Sequence, residues 1–132
     1  MANDSNLAPG LSHSMSEMVN ATNTATAVHS GGLDVYSTPS MIALMESAAY
    51  KCIESHLCEG QTTVGTVVNI EHLTASPIGV QITATATIDS VDGRKVNFTV
   101  SASDNSGEIG KGKHTRFIVD IDRFMSKVQA RA

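Results

Sequence analysis

Apolar and polar residues alternate most cleanly between residues 79 and 104. Val80, Ile82, Ala84, Ala86 and Ile88 alternate with Gln81, Thr83, Thr85, Thr87 and Asp89, and Val96, Phe98, Val100 and Ala102 resume the pattern. A period of two is that of a strand with one packed and one polar face. Asp92-Gly93 divides the run and predicts a tight hairpin, because a turn matching strand twist needs the positive φ that glycine supplies. Extended runs are expected at about 61–74, 79–90, 94–104 and 108–120, with Asn105-Ser106-Gly107 as a second hairpin turn. In the first of these, alternation puts Val64, Val68, Ile70 and His72 on one face.

Upstream the period changes. Met41, Ile42, Leu44, Met45, Ala48, Ala49, Cys52 and Ile53 recur at three- and four-residue spacings, with Ser47, Lys51, Glu54 and Ser55 on the other side. This predicts an amphipathic helix ending near His56 or Leu57. Thr38 before Pro39 reads as its start, with the threonine as cap and proline in the first turn, where no amide donor is needed. A first strand is expected over Asn20–Val28, broken by Ser30-Gly31-Gly32. A short terminal helix is expected around Phe124, Met125 and Val128. Residues 1–16 lack periodicity and read as a flexible tail, leaving 17–132 as a single domain.

One long helix ahead of a four- or five-stranded antiparallel meander predicts an α+β architecture with the sheet wrapped around the helix, the hotdog fold. Such a sheet leaves an edge strand, and an open edge invites pairing with a second copy. A homodimer is expected.

Charge and composition narrow the partners. A net charge of −4, no tryptophan and 4% aromatic residues provide neither a dense basic face nor a stacking platform, which argues against nucleic acid. No stretch approaches a membrane span and no signal-peptide pattern opens the sequence, so no membrane partner and a cytoplasmic location are expected. Cys52 and Cys58 suit neither a local disulfide nor a zinc pattern and read as reduced thiols, with no metal site.

The candidate chemistry lies on the helix and the strand after it. Glu46 falls at the margin of the apolar stripe, roughly 20° from Ile53 on the wheel, so its carboxylate either bends out to solvent or is drawn to the core. His72 shares the face that wants burial and is either a hydrogen-bonded core histidine or a catalyst, with a buried glutamate as one obvious partner. Thr38, Glu46 and His72 supply a hydroxyl, a carboxylate and an imidazole, expected within reach of one another. A carboxylate, an imidazole and a hydroxyl placed together suit nucleophilic and general acid–base chemistry. Glu46 suits direct attack or activation of water, His72 proton transfer, Thr38 an orienting hydrogen bond, and Gly65 close approach to an oxyanion. Gly110 and Gly112 read as close approach of another element or a bulge rather than a phosphate loop.

The motifs STPSMIALMES (37–47), VGT at Val64-Gly65-Thr66, HLTASPIG from His72 to Gly79, VDGR and EIGKGKHTRFIV from Glu108 to Val119 together resemble the fluoroacetyl-CoA thioesterase-like branch of the hotdog thioesterases over about residues 34–128. The resemblance implies hydrolysis of an acyl-CoA thioester by a homodimer with sites near the subunit interface, without a separate cofactor, coenzyme A being part of the substrate. It implies that Thr38, Glu46 and His72 are catalytic, that Gly65 lies beside the thioester carbonyl, and that Arg116 is an active-site arginine. Lys111 and Lys113 are candidates for the coenzyme A phosphates. Where the fluoroacetyl-specific enzyme has an aromatic-rich segment before the helix, His29-Ser30-Gly31-Gly32 has none, which points to a broader or different acyl group. The alternatives are a non-catalytic acyl-CoA-binding protein and an enoyl-CoA hydratase. The hydratase pattern wants a histidine soon after an aspartate on one loop, and Asp34 has none.

Overall fold

The structure is a computed structural model and describes residues 7–132. In chain order the elements are β1 (Ser12–Met18), α1 (Thr38–Glu54), β2 (Gln61–His72), β3 (Gln81–Asp92), β4 (Lys95–Asp104), β5 (Gly107–Asp120) and α2 (Ile121–Gln129). The strands form one antiparallel sheet in the order β1-β3-β4-β5-β2. Its concave face wraps α1, as the pattern predicts.

The alternation in β3 and β4 explains the packing. Ile82, Ala84, Ala86 and Ile88 face the helix beside Val96, Phe98, Val100 and Ala102, all buried. Met41, Met45, Ala48, Ala49 and Ile53 return the contact from α1. Fully burying a Met, Ile or Phe side chain contributes about 1.5–3 kcal/mol, so this interface is the main source of cohesion. The two expected hairpins form, with Gly93 and Gly107 at positive φ.

Four expectations need correction. Part of the expected tail is ordered: β1 pairs with β3 from Ser12↔Thr87 to Met18↔Gln81, because hydroxyls on its outer face meet theirs across the ladder (Ser14 with Thr85, 2.7 Å; Ser16 with Thr83, 2.9 Å). Residues 1–6 of that tail lie outside the described residues.

The strand expected over Asn20–Val28 is a loop. Asn20 Oδ1 accepts from the Thr22 amide and hydroxyl, and Asn23 Oδ1 accepts from the Asn20 amide, so local side chains satisfy backbone groups that a ladder would have used.

The third correction concerns the start of α1. Ser37, not Thr38, is its cap: Ser37 Oγ accepts from the Ser40 amide at 3.1 Å. Thr38 is the first helical residue, and its hydroxyl is left for other work.

The fourth concerns β2. A bulge between Gly65 and Val67 reverses its phase. Before the bulge Thr63 and Gly65 face the helix, opposite Ile118 and Arg116 of β5; after it Val68, Ile70 and His72 do, opposite His114, Gly112 and Gly110. Val64 therefore does not share a face with His72.

Gly110 and Gly112 are close-approach positions, as expected. A Cβ at Gly112 would run into the backbone carbonyl oxygen of Asn69 and lie 2.8 Å from Ile70 Cα, whereas one at Gly110 would meet the Met41 thioether at 2.6 Å and Glu71 O at 2.9 Å. Met41 can swing aside more easily than the backbone of β2 can. Gly112→Ala should therefore cost more stability than Gly110→Ala, at or above the upper end of the ~1–3 kcal/mol typical of overpacking. Urea unfolding of the two variants checks the order.

Candidate active site

Thr38 and His72 meet where α1 begins and β2 ends. With Ser37 acting as cap, Thr38 Oγ1 hydrogen-bonds His72 Nδ1 at 2.8 Å. The imidazole stands opposite Gly110, which has no side chain to displace it. Burial pushes the His72 pKa down, a hydrogen bond with the Thr74 backbone opposing it in part, so the ring is neutral at pH 7. The hydroxyl and Nδ1 share one hydrogen, carried by either according to the ring tautomer, and the remaining ring nitrogen is Nε2. That nitrogen is buried without a partner among the described residues. A buried polar atom with no partner is costly in a finished structure, and here it belongs to a group suited to proton transfer. Beside the pair is a cavity of about 220 Å³, bounded in part by Ala25, Ser30, Val35 and Ala75.

Glu46 sits in a second cluster. Its Oε2 accepts from Arg116 Nη1 at 3.3 Å, while its side chain remains 40% exposed, between the solvated and buried readings. Arg116 is buried and closely held. Its Nε donates to Thr63 Oγ1 (2.9 Å), Nη2 to the Thr63 carbonyl (3.1 Å), and Nη1 also contacts His114 Nε2 at 3.2 Å. The Tyr50 ring lies 5.8 Å from the guanidinium carbon. Burial lowers the arginine pKa and the Glu46 charge works against that, so the charge persists inside the fold through its partners.

Gly65 makes room for this cluster. A Cβ there would lie 2.6 Å from Glu46 Oε2, 3.1 Å from His114 Cε1 and 3.3 Å from Arg116 Nη1. The separation of 3.8 Å between His114 Nε2 and Glu46 Oε2 is not an ion pair, because burial pushes the His114 pKa down and the Arg116 charge adds to that, against the Val67 carbonyl and Glu46.

The expectation that Thr38, Glu46 and His72 lie within mutual reach is not met inside one chain. Eight helical residues separate Thr38 from Glu46, about 12 Å at 1.5 Å per residue. Gly65, which abuts Glu46, is seven residues along β2 from His72, about 23 Å at 3.3 Å per residue. The chain carries two half-sites, Thr38–His72 at the end of β2 and Glu46–Arg116 beside Gly65 nearer its start.

Lys111 and Lys113 are exposed on the outer face of β5 and, with Asn69, Glu71 and Thr99, line a groove of about 410 Å³. Lys113 is already engaged, with Asp89 at 3.3 Å and Thr99 Oγ1 at 2.7 Å. Cys52 and Cys58 are free thiols. No helix among the described residues is long and apolar enough to cross a membrane. Sequence reasoning missed His114 as a site residue, although the alternation of His114, Arg116 and Ile118 carried the signal.

With both folded-state pKa values depressed, His72 and His114 resist protonation in the folded protein while the unfolded chain takes up protons near the ordinary 6.5. Their contribution to stability is complete above that value and is lost as pH falls through the depressed ones. The melting temperature should hold level just above pH 6.5 and decline below it, as a calorimetric pH series would register.

Comparison with known proteins is consistent with this geometry. Residues 19–122 match the model of the fluoroacetyl-CoA-specific thioesterase family. The chain is 36% identical over 96 residues to the fluoroacetyl-CoA thioesterase of Streptantibioticus cattleyicolor, an alignment covering 73% of this chain and 69% of that one. Among solved structures, one of a fluoroacetyl-CoA thioesterase superposes with a TM-score of 0.89 at 29% identity, covering 94% of this chain and 96% of the other. A hot-dog-like protein from Thermanaerovibrio acidaminovorans gives 0.86 at 27% identity, covering 93% and 91%.

Proposed function

The chain belongs to the fluoroacetyl-CoA-specific thioesterase family, and from that premise we propose that it hydrolyses an acyl-CoA thioester to the free acid and coenzyme A, with Thr38, Glu46 and His72 as its catalytic groups. The observation that carries the reading is the pair of half-sites and the edge that lies between them. β2 is an edge strand whose stretch Gly65–Asn69 is exposed, with Val67 at 53% and Val68 at 42%. The other edge, β1, is Ser-His-Ser-Met-Ser-Glu-Met, too polar to favour association. Antiparallel pairing of two β2 strands about an axis at Asn69, with Thr66 of each copy taken up by the bulge, sets Ile70 opposite the partner's Val68 and His72 opposite the partner's Gly65, and so beside the partner's Glu46. In this homodimer each active site takes Thr38–His72 from one copy and Glu46–Arg116 from the other.

The chemistry follows from these groups. Glu46 either attacks the thioester carbonyl to give an anhydride or takes a proton from the attacking water; in both routes the C–S bond breaks and the thiolate leaves, and in the first water then cleaves the anhydride, releasing the acid and restoring the Glu46 carboxylate. The neutral His72 moves the proton that converts thiolate to thiol, with Thr38 fixing its ring. Arg116 holds the carboxylate, and the Gly65 backbone approaches the carbonyl oxygen where a side chain would not fit. No separate cofactor is used. Ala25, Ser30 and Ala75 leave room in the 220 Å³ cavity beside Tyr36 and Leu73, which suits acyl groups beyond fluoroacetyl, and Lys111 and Lys113 attract the coenzyme A phosphates, which the engagement of Lys113 with Asp89 makes chiefly the task of Lys111. Acyl-CoA chemistry and free thiols fit a cytoplasmic protein.

Glu46→Gln keeps volume and loses charge, so thiol release from the best substrate in a screen of short, branched and aromatic acyl-CoAs should fall by on the order of 10² or more while the fold survives. His72→Ala should do comparable damage, and Thr38→Ala less. Wild-type turnover by a folded Glu46→Gln protein would remove Glu46 from the catalytic groups, and no turnover of any acyl-CoA by the wild type would leave only acyl-CoA binding. Raising ionic strength should raise KM if Lys111 meets phosphate, and light scattering at micromolar protein should return twice the chain mass.

A further inference from the structure

We propose that His114 is a positioning residue whose bare ring nitrogen aims Arg116, and through it Glu46, at the reacting centre. The inference rests on the thioesterase reading for its catalytic consequence, though not for its geometry.

His114 is almost fully buried on the inner face of β5. Its ring stacks on Phe98 of β4, centroids 6.2 Å apart and planes 28° from parallel. Nδ1 lies 2.8 Å from the carbonyl oxygen of Val67, at the bulge of β2. A carbonyl only accepts, so Nδ1 carries the hydrogen, and in a neutral ring Nε2 is then a bare acceptor. That acceptor is 3.2 Å from Arg116 Nη1, which donates to it.

The donors of Arg116 can be assigned one by one. Nε and Nη2 are directed to Thr63, and Nη1 has two hydrogens, one for Glu46 Oε2 and one for His114 Nε2. His114 thus helps hold the planar guanidinium in the orientation that presents the other Nη1 hydrogen to the carboxylate. A proton on Nε2 would set donor against donor and cation against cation. The charged groups facing the ring are Arg116 on its own strand and Glu46 from α1 at 3.8 Å; β2 contributes a carbonyl and β4 an aromatic ring. Their balance, together with burial, keeps the imidazole uncharged.

Two substitutions separate positioning from packing. His114→Phe keeps the ring against Phe98 and removes both nitrogens; His114→Gln restores an acceptor toward Arg116. With the best acyl-CoA, His114→Phe should lose about ten- to a hundred-fold in kcat, the range that small misplacements of catalytic groups produce, with KM within about two-fold. His114→Gln should recover most of that loss. In an Arg116→Met background, His114→Phe should cost almost nothing further, since its effect passes through Arg116. Equal losses in Phe and Gln variants, or a full further loss in the Arg116→Met background, would overturn the proposal.

A readout independent of turnover separates failure of this proposal from failure of the thioesterase reading. In nitrogen-15 NMR, His114 should show a protonated Nδ1 and a bare Nε2, and the Arg116 Nη1 hydrogens should exchange slowly in the wild type and in His114→Gln, but fast in folded His114→Phe. A His114 protonated on Nε2 at neutral pH, or an Arg116 signal indifferent to His114→Phe, would contradict the assignment even if the enzyme is active. Correct NMR behaviour with no acyl-CoA turnover would instead count against the function alone.

Discussion

The site depends on one constraint, that β2 must change phase between Gly65 and Val67. A strand of strict alternation carrying His72 inward would carry Gly65 outward, because seven positions separate them. The bulge adds one residue and lets both face the helix. Gly65 can then stand over Glu46 with hydrogen in place of a side chain, and His72 can reach Thr38 at the far end of the same strand. The Val67 carbonyl, at the bulge, becomes the acceptor that sets the tautomer of His114. A backbone irregularity of one residue thereby fixes both half-sites.

The polar groups are affordable because the surrounding frame leaves few of them unpaired. Arg116 is buried, and removing one partner from a buried charge typically costs about 3–5 kcal/mol; Glu46 is half-exposed, so its share is smaller. Thr63 takes two of the guanidinium donors from the opposite side, which keeps the arginine anchored whatever Glu46 does during a reaction. The division suits a carboxylate that must change its bonding. At the other end Ser37 takes the capping role, and the neighbouring threonine is thereby free for His72.

Much of the frame was legible in the sequence because it rests on periodicity. Helix α1, the two hairpins and the inward faces of β3 and β4 follow from spacings of three to four and of two, and burial enforces them. What escaped was set by side chains that compete with the backbone. Asn20 and Asn23 turn a β-like run into a loop, and Ser37 takes the cap from Thr38. The strand β1 lacks an apolar face of its own and forms against β3. The bulge was invisible since Val64-Gly65-Thr66 reads equally well as straight strand. Without it, alternation placed His72 correctly but Val64 wrongly. The residues of the candidate site were legible mainly through the family resemblance; their division into two distant half-sites appears only when helix and strand are laid out in space.

If one active site draws on two copies of the chain, two inactive variants should restore each other when mixed. Glu46→Gln and His72→Ala proteins, unfolded together and refolded at equal amounts, form mixed dimers in half of all pairs. A composite arrangement gives each mixed dimer one site with both groups intact and one with neither. Acyl-CoA hydrolysis should then return to about a quarter of the wild-type rate, as expected for two-fold symmetric exchange. If mixing leaves activity at the level of the separate variants, although mixed dimers are present by mass, each site lies within a single chain and the account is wrong.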